Sequence, residues 1–240
     1  MVNIKYPWLK KYLDYFYTDK LAHSQLFSGK SGIGKSYFSL ELSKSLLCLN
    51  SSELFNHCGK CVSCNSFQSR THPDFKFIQP EDENKVIKIS QLRGNGKDRE
   101  NKGILNFLHE TPLISKSKII QISSAENMNA ESQNFLLKTL EEPSKNTYIF
   151  LTSSKPYLLQ PTLLSRLNHV SIHSPAKKEI LNWLKSINIK VDAQELNFLE
   201  DINLTDLSSD LIKQARHEID DFSSDLVKCN SSKDIEKIAS

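Results

Sequence analysis

Residues 29–36 read Gly29-Lys30-Ser31-Gly32-Ile33-Gly34-Lys35-Ser36, the G-x-x-x-x-G-K-[ST] spacing of a phosphate-binding loop. The residue types dictate the chemistry. Gly29, Gly32 and Gly34, with Ile33 among them, let backbone N–H groups converge on phosphate oxygens. The helix that follows adds the positive end of its dipole. Lys35 can reach the β- and γ-phosphates, and the Ser36 hydroxyl can ligate Mg²⁺. ATP or ADP with Mg²⁺ is the expected ligand. A Gly-rich turn without a ligand is the alternative, and the flanks weigh against it. Gln25-Leu26-Phe27 is short and β-compatible, and Tyr37, Leu40, Leu42, Leu46 and Leu47 suit a largely buried helix of about three turns.

A second chemical cluster follows. Five cysteines occupy positions 48, 58, 61, 64 and 229. Cys58-x-x-Cys61-x-x-Cys64 lies in a polar stretch, where two-residue spacing lets a turn aim successive thiolates at one ion. With Cys48 as fourth ligand, a tetrahedral Cys₄ zinc site results. His57 is an alternative to Cys48. Four protein ligands close the coordination shell, so the expected role is structural. A reactive thiol cluster or redox pair is the competing reading. Cys229 is remote and reads as a helix residue.

These groups must be positioned by elements. Trp8, Leu9, Tyr12, Leu13, Phe16 and Tyr17 recur at helical spacing within residues 1–22, a core pattern. Residues 49–72 are polar and carry the zinc loop. Phe75, Phe77 and Ile78 form a second strand, Val86 to Ile89 a short extended piece, and Ser90-Gln91-Leu92 a helix start. Residues 94–103 read as an exposed, mobile loop. Ile119 to Ile122 is a strand. Asn129 caps a helix that Pro143 ends, and Tyr148 to Thr152 is a strand of the buried, parallel type. Strands and helices alternating behind a phosphate loop imply a parallel α/β sheet. Strand signals fade beyond a boundary near Pro175. There Leu207, Leu211, Ala215, Ile219, Phe222 and Leu226 make one helical stripe in an appendage of about 65 residues.

Bulk properties narrow the function classes. The chain has 240 residues, 38% hydrophobic and 25% charged, as suits a globular protein. The net charge of +3 carries no global polyanion-binding signal. No apolar run approaches the ~20 residues that span a bilayer, and Met1 to Trp8 has no signal-peptide pattern. A cytoplasmic protein is expected, with no membrane partner.

The hydrolytic centre is incomplete. A P-loop ATPase places an acid just past its second buried strand, to hold Mg²⁺ and polarise water. After Ile122 this chain has Ser123-Ser124, and Glu126 comes later than the expected position. Nucleotide is therefore expected to bind with very slow turnover.

Several stretches now fall in one order: Tyr6-Pro7-Trp8, His23-Ser24-Gln25-Leu26-Phe27, the phosphate loop, the cysteines, Thr71-His72-Pro73-Asp74, the run Asn134 to Pro143 (NFLLKTLEEP) and Leu164-Ser165-Arg166. Together, over residues 4–175, they resemble the delta-prime subunits of bacterial DNA polymerase III clamp loaders. The resemblance implies an AAA+ P-loop module over residues 1–174 with a zinc insertion at about 48–66. A small all-helical lid over residues 175–240, with a remnant of a collar domain, would follow. It implies gamma/tau and delta subunits as partners, and the sliding clamp and primer-template DNA as indirect ones. It also implies a stator without its own ATPase. In this family the Ser-Arg-Cys arginine acts across an interface on ATP held by a neighbouring motor. Here Ser165-Arg166-Leu167 keeps the Ser and Arg, so Arg166 is the expected arginine finger. A surface arginine ending a helix is the plainer reading. The family runs longer than this chain, which leaves little for a collar. Two other readings compete: a gamma/tau-like motor, favoured by the intact phosphate loop, and a zinc-dependent nucleic-acid-binding module using the basic segment 93–102.

Overall fold

The structure, a computed structural model, describes residues 4–16, 21–81, 86–94, 103–188 and 204. Among the described residues, five strands form one wholly parallel sheet: β1 (Ser24–Ser28), β2 (Phe75–Ile78), β3 (Lys118–Ile122), β4 (Thr147–Ser153) and β5 (Asn168–Ser171), in the order β2-β3-β4-β1-β5. All five residues of β1 and of β3 are buried, as expected for strands covered on both faces. The helices are α1 (Lys35–Leu47), α2 (Val62–Gln68), α3 (Ile89–Arg93), α4 (Ile104–His109), α5 (Ala130–Glu141), α6 (Pro161–Leu164) and α7 (Lys177–Ser186).

Both sheet faces are packed. On one, Leu26, Ile120, Ile122, Ile149 and Leu151 meet Leu92, Ile104, Leu136, Leu140 and Leu163. On the other, Phe27 and Phe150 pack edge-on, and Phe38 of α1 lies 5.7 Å from Phe27 and 4.7 Å from Phe55. Each such aromatic pair adds about 0.5–1.5 kcal/mol beyond its buried area.

The expected elements are present, with three differences. The N-terminal helix is a 3₁₀ segment, Pro7–Phe16, with Trp8, Leu9, Tyr12 and Phe16 buried. Tertiary anchors set its winding: the Trp8 indole donates to the Ile33 carbonyl (2.9 Å), and the Tyr12 hydroxyl accepts from the His173 N–H (2.8 Å). The Asn129 cap forms, its side chain accepting from the Ser132 N–H. Val86 to Ile89 contributes only a single bridge, Ile87 to Met128. Sequence reading missed β5, α4 and α2, the last lying in the stretch read only as a polar zinc loop. Asn168–Ser171 has only Val170 buried, so no apolar run announces a strand. Residues 95–102, most of the expected mobile loop, lie outside the described residues.

The chain divides into two compact units, Met1–Pro175 and Ala176–Ser240. In the second, α7 buries Ile180, Trp183 and Leu184, and the Glu179 carboxylate caps it by accepting from the Ala176 N–H at 2.9 Å. The stripe from Leu207 to Leu226 and Cys229 lie outside the described residues. No helix among the described residues is long and apolar enough to cross a membrane.

Candidate nucleotide and metal sites

The phosphate loop joins the C-terminal end of β1 to α1, with β4 and β5 flanking β1. Ligands of open α/β sheets bind at this edge. Gly34 caps α1 at φ 95°, a left-handed backbone that a side chain would strain. A Cβ on Gly29 would run into the Ile172 carbonyl. Gly32 is at the partly exposed turn of the loop, while Ile33 is buried and anchored through its carbonyl to Trp8.

Lys35 is mostly buried. Its ammonium donates to the carbonyls of Gly29 (2.9 Å) and Lys30 (2.6 Å) and to Ser154 Oγ (3.2 Å). Burial lowers its pKa to about 8, against a smaller opposing pull from Glu126. Ser36 Oγ lies 3.4 Å from Ser123 Oγ and 3.5 Å from Thr152 Oγ1. Serine hydroxyls thus stand at the end of β3, with no carboxylate in their place. Glu126 comes later in sequence than the acid a P-loop ATPase uses, yet it enters the site. It is carried on a 3₁₀ turn, Ala125–Asn127, that follows Ser124 in a left-handed conformation. Its Oε1 accepts from the Ser154 N–H at 3.0 Å, and its Oε2 is buried without a hydrogen-bond partner. An orphaned buried carboxylate oxygen and three clustered hydroxyls are a donor set that fits a hydrated Mg²⁺ and a phosphate.

The four cysteines expected as ligands come together. Their sulfurs all lie within 4.8 Å of one another, with Cys48 to Cys61 and Cys58 to Cys64 each 4.0 Å. Tetrahedral zinc with Zn–S bonds of ~2.3 Å would hold sulfurs about 3.8 Å apart, so the cluster is preformed. Cys48 caps the C-terminus of α1 and Cys61 caps the N-terminus of α2. Backbone N–H groups of Cys58, Cys61 and Cys64 each point at a cysteine sulfur at 3.4 Å. Backbone N–H groups of Lys60 and Cys61 bring the Cys58 thiol down to about 6, while burial pushes Cys64 up to about 12. Four thiols converging on one point, with Cys64 pushed away from ionising by its burial, suit a cation that would draw off their protons, and these ligands fit zinc. His57 is turned away to Glu41, its Nε2 3.2 Å from Oε2. The arrangement favours Cys48 over His57 as fourth ligand.

Arg166 follows the one-turn α6. Its backbone carbonyl accepts from Ser24 Oγ at 2.9 Å, which ties it to the first residue of β1. The phosphate loop leaves β1 beyond Ser28, so about 13 Å of strand separates the two ends. Arg166 and Lys35 therefore occupy opposite edges of the same sheet. The guanidinium is partly exposed and pairs with Glu141 at 2.6 Å.

A family model described as "DNA polymerase III, delta subunit" matches residues 7–176. The delta' subunit of DNA polymerase III from Pseudomonas aeruginosa is 33% identical over 163 residues, covering 68% of this chain and 47% of that protein. Those of Bacillus subtilis (36% identical; 62% and 41% covered) and Escherichia coli (28%; 78% and 55%) are also similar. The chain spans about half the length of the curated relatives it matches. Among solved structures, a gamma subunit-related protein of Thermotoga maritima aligns at 21% identity with a TM-score of 0.47, over 80% of this chain and 54% of its own. On the family match over residues 7–176 and the identities to these relatives, the chain belongs to the delta' family of DNA polymerase III subunits.

Proposed function

We propose that this chain is the stator of a clamp loader, the assembly that uses ATP to open a sliding clamp and place it on primer-template DNA in the cytoplasm. In this reading residues 1–174 hold ATP or ADP with Mg²⁺ on the Gly29–Ser36 loop without turning it over. Cys48, Cys58, Cys61 and Cys64 hold structural zinc, residues 175–240 form a lid with a short collar remnant, and gamma/tau and delta subunits are the direct partners. Arg166 serves the nucleotide of a neighbouring motor. Guanidinium suits that role because it is planar, permanently charged and multidentate, and so matches charge spread over a transferring γ-phosphate.

One observation carries the proposal. Arg166 is fastened to the start of β1 while its own phosphate loop leaves the other end, so the arginine is on the wrong edge to serve in cis. At its own loop the chain offers Ser123 and Ser124 in place of an Asp-Glu pair. The test is steady-state ATP turnover by the reconstituted loader. Arg166→Ala is expected to lower it by about 10³-fold at the dependent site while this chain stays folded. An unchanged rate discards the finger.

Glu126 adds to the intact phosphate loop in support of the motor reading, since its unpartnered oxygen lies in the site. The purified chain decides between them. Slow or absent hydrolysis fits the stator, and fast hydrolysis abolished by Lys35→Ala establishes a motor.

A further inference from the structure

The run Leu136-Leu137-Lys138-Thr139-Leu140-Glu141-Glu142-Pro143 closes α5, and nothing so far gives its carboxylates a task. Its backbone is well anchored. Leu136 and Leu140 are in the core, and the His23 ring donates to the Leu140 carbonyl at 3.3 Å. Glu141 is thereby delivered, half-exposed, to the sheet edge where Arg166 stands. Arg166 Nη2 donates to Glu141 Oε1 at 2.6 Å, and Nη1 donates to the Thr162 carbonyl at 2.8 Å and to Ser165 Oγ at 3.5 Å. A guanidinium has five N–H donors. These three bonds leave two N–H groups without a bond among the described residues, on a side chain whose charge remains accessible.

We propose that Glu141 is a positioning residue for the Arg166 guanidinium, holding it in the one orientation that enters the neighbouring subunit's nucleotide site. The inference rests on the finger reading above. A free arginine in the turn after a one-turn helix samples many rotamers, and each wrong one must be excluded before the cation meets the phosphate. Clamping one end to a carboxylate on a long, core-packed helix removes that cost in advance, which is how preorganisation enters a rate. The carboxylate does not cancel the arginine's use, because a triphosphate brings more negative charge and takes the donors left over. The pair also lies at the C-terminus of α5, where a cation is favoured by the helix dipole.

The test uses the reconstituted loader with clamp, primer-template DNA and ATP, its assembly checked by mass. Glu141→Gln keeps the shape and removes the charge. It is expected to lower kcat about fivefold, the scale of one exposed ion pair, with KM for ATP unchanged within about twofold. Glu141→Asp should recover part of the loss. In an Arg166→Ala background, Glu141→Gln should cost nothing further, because there is no finger left to position. A rate unchanged or raised by Glu141→Gln, with Arg166→Ala still harmful, removes this inference alone, and so does an equal loss in both backgrounds. A loader indifferent to Arg166→Ala removes the finger reading and this inference with it.

Discussion

Lys35 is the residue on which the proposed nucleotide site turns. Its ammonium is bonded inside its own loop to two carbonyls and a hydroxyl, and burial lowers its pKa to about 8. Phosphate binding needs the charged form. Nucleotide affinity should therefore be complete below pH 7 and fall as pH rises through 8. The limiting slope is about tenfold per unit, until the pKa of the complex is reached. Fluorescent-ADP titrations from pH 6.5 to 9.5 read this directly, and a flat profile would show that no lysine titrating near 8 governs binding. The placement of Lys35 was legible because loop spacing is local. Glu126 was not, because only a left-handed Ser124 and the turn after it bring its carboxylate back to Ser154.

At the scale of elements, the metal module is fastened to the sheet by a network that spacing could not reveal. His72 Nδ1 accepts from the Asp74 N–H (3.0 Å), so Nε2 carries the proton and faces Ser63 Oγ (2.9 Å) and Ser115 Oγ (3.1 Å). Both hydroxyls donate to the Leu47 carbonyl, next to Cys48. Asp74, fully buried, accepts from the N–H groups of Leu113, Ile114 and Ser115 at 2.7–2.8 Å. The Thr71-His72-Pro73-Asp74 stretch was legible only as part of a family resemblance. Its work is to tie α1, α2, β2 and the approach to β3 at one point. His72→Ala orphans several buried polar groups. It should cost about 2–3 kcal/mol by thermal melting and speed zinc release to a chromogenic chelator. Zinc release at the wild-type rate would confine the network to the sheet. Independently, elemental analysis should find one zinc per chain, lost in Cys58→Ser, with new proteolytic cleavage between residues 49 and 60.

For the whole molecule, a net charge of +3 supplies no global attraction for nucleic acid and leaves only a local basic surface to do so. Arg93, at the start of the basic segment, is engaged by the Phe135 ring, its guanidinium 5.7 Å from the ring centroid. The chain alone is therefore expected to bind primer-template DNA weakly, with an affinity that vanishes by physiological salt. Fluorescence anisotropy between 50 and 200 mM salt measures this. Tight, salt-resistant binding would revive the nucleic-acid-module reading. Mixing the chain with gamma/tau and delta subunits should instead give one complex of defined mass. Family membership makes that assembly the natural test, although the chain aligns with only about half of each relative.

Sequence alone determined the chemistry of the parts. Phosphate-loop spacing, the triplet of cysteines two residues apart and the alternation of apolar strands are all written within a few residues of chain. Local geometry reads them without reference to anything distant. Tertiary structure decided which parts meet. Parallel strand order placed Arg166 at the far edge from Lys35 and folded Cys48 onto a cluster ten residues away. It also set Glu141 against Arg166 across 25 residues. Such pairings are set by how covered sheet faces stack, a property of the assembled core that no short window of residues contains.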